Sequence, residues 1–335
     1  VGEPNFYNQN FTANYNLPIS NFPFLDFIDA NYSYSGNFNW QRGSDILNNV
    51  TDQLGNKLGR VNTVQNSNNQ TLNFALNFDK IYRQINFSEN NFLVNLLTSL
   101  KRVRSTYSEN SGKVLPGYIP SIGFLGTLKP SFGFVFGSQK DVRFEAAKNG
   151  WLTTFNDFNQ QFQKVFNSKF DLSAEIELFK NLKIDLNANR TYSNNFSENY
   201  SIIENNYNAI NGSFYGNFSI SSNMLRTSFK DRSVEFSNDF ENLKKNRIQI
   251  ASRLISLKNL GNISYDSDGF PVGYSKESQA VLIPAFLSAY TGIDVSKVSL
   301  TPITSNPKLN WTLQYDGLEK LFDQVFSRVS LQHGY

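Results

Sequence analysis

The chain has 335 residues, a formal net charge of +3 and 18% charged residues, too few and too balanced for a nucleic-acid-binding protein. It has no cysteine and one histidine, His333, which excludes disulfide scaffolds, cysteine nucleophiles and multi-histidine metal sites, and leaves no mid-chain histidine for a Ser-His-Asp triad. Aromatics make up 15% and Asn about one residue in seven, which excludes a disordered chain, and no apolar run reaches the roughly 18 residues of a membrane-spanning helix.

What remains is a β protein with polar and apolar residues finely mixed. Its length suits one large domain or two ordinary ones. Alternation with a period of two is the strongest signal. Over 10–17 it places Phe11, Ala13, Tyr15 and Leu17 on one face and Asn10, Thr12, Asn14 and Asn16 on the other. Over 30–40 it sets Tyr32, Tyr34, Phe38 and Trp40 against Asn31, Ser33, Ser35, Asn37 and Asn39. Leu72, Phe74, Leu76 and Phe78 make a third strand, and Phe132, Phe134 and Phe136 a fourth.

The clearest pair lies at 168–192. Phe170, Leu172, Ala174, Ile176 and Leu178 alternate with Lys169, Asp171, Ser173, Glu175 and Glu177; Leu182, Ile184, Leu186 and Ala188 alternate with Lys183, Asp185, Asn187 and Asn189. With Phe179, Lys180 and Asn181 as the connection, this predicts a tight β-hairpin. Further strands are expected at 214–220, 309–315 and 325–335, giving about nine.

Other stretches lose the alternation. Phe155, Phe158 and Phe162 have helical spacing within 151–165. Phe240, Leu243, Ile250 and Leu254 predict a helix near 239–257, with N-caps offered by Ser237, Asn238 and Asp239. A second helix is expected near 277–290, bent at Pro284. The expected division is therefore 1–222 as strands and loops, 223–306 as a partly helical insertion outside the sheet wall, and 307–335 as strands. Lys101, Arg102 and Arg104 read as a solvated face or loop.

No catalytic, cofactor-binding or metal-binding residue emerges. Glu175 and Glu177 share a strand face, but charge pairing with Lys183 and Asp185 across the hairpin explains them. Asp266, Asp268 and Gly269 open like a calcium loop with Glu277 at the twelfth position, yet Phe270 and Pro271 stand where a ligand and the glycine belong. A plain turn is the reading there. His333 alternates with apolar neighbours, as a packed or contact residue would. No glycine-rich phosphate loop is present.

A soluble sandwich and a transmembrane barrel both fit alternating strands. The polar face here is mostly Asn and Ser, not the Lys, Glu and Thr of a face in bulk water. Several segments reach the roughly 9–11 residues that cross a bilayer. Tyr32, Tyr34, Trp40, Tyr192, Trp311 and Tyr315 suit interfacial girdles. The barrel is the favoured reading, and both ends of the sequence read as cut from something longer.

Several motifs then point to a family. Asn14-Tyr15-Asn16-Leu17-Pro18, the 32–40 strand, Gly59-Arg60-Val61-Asn62-Thr63-Val64-Gln65-Asn66-Ser67, Pro120-Ser121-Ile122-Gly123-Phe124 and Phe136-Gly137-Ser138-Gln139 are among them. Val281-Leu282-Ile283-Pro284-Ala285-Phe286-Leu287, Asn310-Trp311 with Tyr315-Asp316-Gly317-Leu318, and Leu331-Gln332-His333-Gly334-Tyr335 complete the set. In content and order they resemble the SprA/Sov family, the giant outer-membrane translocons of type 9 secretion in Bacteroidetes, with a Flavobacterium-like composition. The resemblance implies an all-β chain that is part of a very large transmembrane antiparallel barrel, of about 36 strands in the largest known case, with helical insertions between strands. It implies a protein-conducting pore that is not an enzyme and uses no cofactor. The implied partners are secreted protein cargo, a PorV-type outer-membrane barrel, a plug protein, periplasmic components of the same machine and outer-membrane lipid. A nutrient transporter or a surface adhesin are the alternatives.

Overall fold

The computed structural model describes residues 3–52, 55, 57–85, 92–123, 126–155, 157–179, 181–228, 237–258, 263–301, 306–318 and 329–335. Strand outweighs helix, 47% to 21%. The chain divides into two compact units, 1–219 with 311–335, and 220–310.

The first unit is built on one antiparallel sheet. Six long strands run as a meander in chain order: β1 (Phe6–Leu17), β2 (Ile28–Arg42), β3 (Asn62–Asn77), β4 (Leu100–Tyr118), β5 (Phe162–Phe179) and β6 (Leu182–Ile203). β7 (Asn206–Ile220) and β8 (Asn310–Asp316) both pair with β6, and β9 (Ser330–Gly334) pairs with β8. Glu204 and Asn205 join β6 to β7 with φ of 50° and 62°, the left-handed pair that a two-residue type I′ hairpin requires. At the other end of β6 the Asp316 N–H donates to the Asn181 carbonyl at 2.8 Å. The 22 residues of β6 are thus flanked by 15 of β7 and 7 of β8.

Alternation marks these strands because each presents two different faces. The hairpin of β5 and β6 has the expected register: Ile176 stands opposite Ile184, Ala174 opposite Leu186 and Leu172 opposite Ala188. Lys180 of its connection, and 325–328 of the last expected strand, lie outside the described residues.

Some expectations need correction. Residues 132–136 are not a strand: Phe132–Val135 is a single helical turn. The Ser131 hydroxyl caps it, accepting from the Phe134 N–H at 3.1 Å, and the sequence neighbours Phe134 and Val135 are both buried, which an alternating strand does not allow. The aromatic spacing of 155–162 does not make a helix, because Phe162 already opens β5. The basic run at 101–104 is not a loop but lies within β4, with Arg104 exposed, in a strand that the pattern hides because its apolar-side positions include Ser105, Glu109, Ser111 and Lys113.

The buried core of this unit forms between the sheet and residues 119–161, the connection from β4 to β5. Phe38, Trp40, Val64, Leu115, Phe162, Tyr200 and Ile202 from the strands meet Phe134, Val135, Val142, Ala146, Ala147 and Leu152 from the connection. Trp40 is buried there, and its indole N–H donates to the Pro120 carbonyl at 3.1 Å; it is a core residue and not a girdle residue.

Unit 220–310 has its own core. Helix Asn238–Ser256 begins at Ser237, whose hydroxyl accepts from the Phe240 N–H at 3.4 Å. Asp239 and Glu241 lie in the first turn, where carboxylates favour the helix dipole. Helix Gln279–Thr291 ends at Gly292, left-handed with φ of 71°, and carries Pro284 inside. Ile250 and Ala251 of the first helix pack on Val281 and Ala285 of the second, with Phe270 and Val298 completing the cluster. The chain enters and leaves this unit at one point: the Lys308 N–H donates to the Ser221 carbonyl at 2.8 Å, and the Ser221 hydroxyl donates to the Lys308 carbonyl at 3.0 Å.

Candidate functional surface: two faces of one sheet

Register assigns each paired strand residue to a face, because residues directly opposite in an antiparallel pair point the same way. One face is a carpet of amides and hydroxyls. Asn10 stands opposite Asn37, Thr12 opposite Ser35 and Asn14 opposite Ser33. Asn69 stands opposite Asn110, and Asn110 opposite Asn167. Asn31 donates to Asn16 at 2.6 Å, Thr106 to Asn73 at 3.0 Å, and Asn8 bonds Asn39. Concavities of ≈ 550 and ≈ 300 Å³ open along this face, the first against Asn31, Asn73 and Arg104, the second against Ser173, Glu175 and Asp185.

Charges gather on the polar face near the 179–182 turn. Glu177 stands opposite Lys183, while Glu175 has Asp185 on one side and Arg102 on the other. Arg102 donates to Asn77 at 2.9 Å, and Asn77 donates to Asp29 at 2.7 Å. The two glutamates therefore sit in a network of mixed charge. The carboxylate of Asp266 accepts from the backbone N–H groups of Asp268 and Phe270 at 2.9 and 2.8 Å, the plain turn expected from the sequence. His333 is exposed in β9, opposite Leu313. Among the described residues no group of three His, Asp or Glu is arranged to hold a metal ion.

The other face changes along its length. Its half nearest the 179–182 turn carries Leu17, Ala30, Phe74, Leu76, Val103, Leu172, Ala174, Ile176, Ile184 and Leu186. None of them belongs to either buried apolar cluster. Beyond this band a register row places Tyr15 opposite Tyr32, Tyr32 opposite Leu72, Leu72 opposite Tyr107, and Tyr107 opposite Phe170. Tyr32 donates to Gln70 at 2.9 Å and Tyr107 to Glu109 at 3.1 Å, so both hydroxyls turn away from the band.

The far half of the same face is covered by residues 119–161. Polar side chains of the strands bind the backbone of that segment. Asn66 donates to the carbonyls of Phe134 and Ser138 at 3.0 and 2.8 Å, Asn68 to Gly137 at 2.9 Å, and Tyr34 to Phe136 at 2.7 Å. Lys113 bonds the Gln139 carbonyl. Gly36 makes the approach possible: a Cβ there would lie 2.3 Å from the Phe136 oxygen. A second anchor joins Arg143 to Glu198, which is 3% exposed and also accepts from the Tyr207 hydroxyl at 2.8 Å. Arg143 pairs with Asp141 at 2.6 Å and lies 4.4 Å over the Phe162 ring. Burial raises the Asp141 carboxyl, but its bonds to Arg143 outweigh this and hold it below its ordinary value.

The sequence reading did not single out Asn62, Asn66, Asn68 or Glu198. A signal was present: these polar residues occupy positions on the apolar side of their strands, Asn62 before Val64, Asn66 and Asn68 between Val64 and Leu72 in β3, and Glu198 between Phe196 and Tyr200 in β6. No protein-family model matches the chain, and no curated protein matches it.

Proposed function

We propose that this chain forms part of the wall of a very large outer-membrane β-barrel, and that the barrel is the protein-conducting pore of a type 9 secretion system. The observation that carries the reading is the two-faced sheet, with an apolar band outside both buried clusters on one side and a polar face of amides, hydroxyls and mixed charge on the other. A bilayer asks about 9–11 residues of a tilted strand, apolar outside and polar inside. On β5 the band holds Leu172, Ala174 and Ile176, and with Phe170 of the aromatic row it spans seven residues, close to that length. The strands are longer than a bilayer requires; the 19 residues of β4 extend about 65 Å. The surplus stands in water, where residues 119–161 cover the apolar side. The tight 179–182 turn faces the periplasm, as short turns of such barrels do.

The polar carpet suits a conduit. Amides and hydroxyls hydrate well and offer few strong ion pairs, so a folded cargo passes without being held. No covalent chemistry is required for that task. The motif resemblance supplies the rest of the proposal: secreted protein cargo, a PorV-type barrel, a plug protein and periplasmic partners. Deletion of the gene tests it. Secreted enzymes and adhesins should accumulate in the periplasm while other outer-membrane proteins assemble normally. Normal secretion with failed uptake of a small molecule would replace the translocon with a transporter.

A further inference from the structure

We propose that the rim of the covering segment, residues 128–136, rests on the lipid surface of the membrane. The inference depends on the barrel reading and adds a contact to it. Along β1 the rim adjoins the apolar band through Phe11, Ala13, Tyr15 and Leu17. The Phe136 ring meets Phe11 edge-on at 5.8 Å, and Phe132 lies 4.7 Å from Phe136. Phe11 is 42% exposed, Tyr15 59%, Leu128 62% and Phe132 65%, so one uncovered apolar surface runs from β1 onto the segment.

The backbone at the rim is prepared for a dry setting. Irregular backbone is tolerated near hydrocarbon only where its polar groups are satisfied by protein. Within the rim the carbonyls of Phe134 and Phe136 are taken by Asn66 and Tyr34 of the sheet, and just past it those of Gly137, Ser138 and Gln139 by Asn68, Asn66 and Lys113. Nearby, the Lys129 ammonium lies 5.2 Å over the Trp151 ring, and Trp and Lys are residue types favoured at membrane interfaces. A protein partner would need polar groups to fix its orientation, and the rim has turned its carbonyls inward. Fluid lipid needs no such pairing.

Nitroxide labels on full-length protein in phosphatidylcholine vesicles test this, using a cysteine-free background with Phe132→Cys, Leu128→Cys, Ile176→Cys and Glu177→Cys. Positions 128 and 132 are exposed, so labelling leaves the core intact. Labels at 176, 128 and 132 should be relaxed more by oxygen than by a water-soluble nickel chelate, and the label at 177 the reverse. If 176 reports lipid while 128 and 132 report water, or are shielded from both reagents, the rim proposal falls and the barrel reading stands. If 176 reports water, both fall.

Discussion

Asn66 holds the covering segment by two backbone carbonyls at once. Asn66→Leu leaves one buried and one partly buried acceptor without that donor, at roughly 1–3 kcal/mol for a buried unsatisfied group and less for the other. A loss of about 2–4 kcal/mol is expected, with faster amide exchange confined to 134–138 as the measurement. Asp141 adds a pH dependence. Its carboxyl titrates lower in the folded protein than in the unfolded chain because its bonds to Arg143 outweigh the effect of burial. Its contribution is therefore complete above the unfolded value, about 4, and is lost as pH falls through the folded value. Proteolysis of 119–161 should rise below about pH 4, and Asp141→Asn should cleave readily at neutral pH with that acid step flattened. In the sequence both residues look ordinary, one more Asn in an Asn-rich strand and one more surface acid. What distinguishes them is a partner about seventy residues away for Asn66, and an Arg143 that is itself tied to Glu198, neither of which composition or spacing encodes.

At the scale of the element, facing is the sharpest property of a strand, because a slip of one residue reverses it. Leu172→Arg would place a charge within the apolar band, at about 2–4 kcal/mol for a lipid-facing midplane position. Ser173→Arg, one residue on, would place it on the polar face at little cost. The yield of heat-modifiable, membrane-inserted protein should drop for the first and not for the second; equal yields would show that the band does not meet lipid. This hairpin was legible in the sequence because both of its strands keep their alternation through the 169–189 stretch. β4 was not, since half of its apolar side serves as a polar seat for 119–161. Residues 132–136 misled for the opposite reason. Three phenylalanines spaced by two imitate a strand, whereas the local hydroxyl of Ser131 caps a helical turn that buries Phe134 and leaves Phe132 exposed. Helix Asn238–Ser256 was readable because its cap, first-turn acids and apolar spacing agree.

At the scale of the whole chain, the described sheet is open. β1 lies at one edge and β9 at the other, and backbone groups along an unpaired edge are costly in lipid and prone to pairing with other copies. Residues 1–335 expressed alone should form aggregates in detergent by gel filtration; a stable, closed monomer would contradict the barrel-wall reading. Unit 220–310 is expected to behave differently. It has its own buried cluster, and its ends are tied by Ser221 and Lys308. Expressed separately, it should give a dispersed amide spectrum and a cooperative thermal transition.

The bonds between Ser221 and Lys308 also bear on how such a chain can change over evolutionary time. An insertion that returns to its point of departure asks nothing of the strand it interrupts. Lineages could lengthen, exchange or discard 222–307 while β7 and β8 keep their places beside β6. A short Gly-Asn turn grafted between Ser221 and Lys308 should therefore preserve the sheet. In a comparison of related chains, variation in length should concentrate at this junction, while β5 and β6 keep theirs.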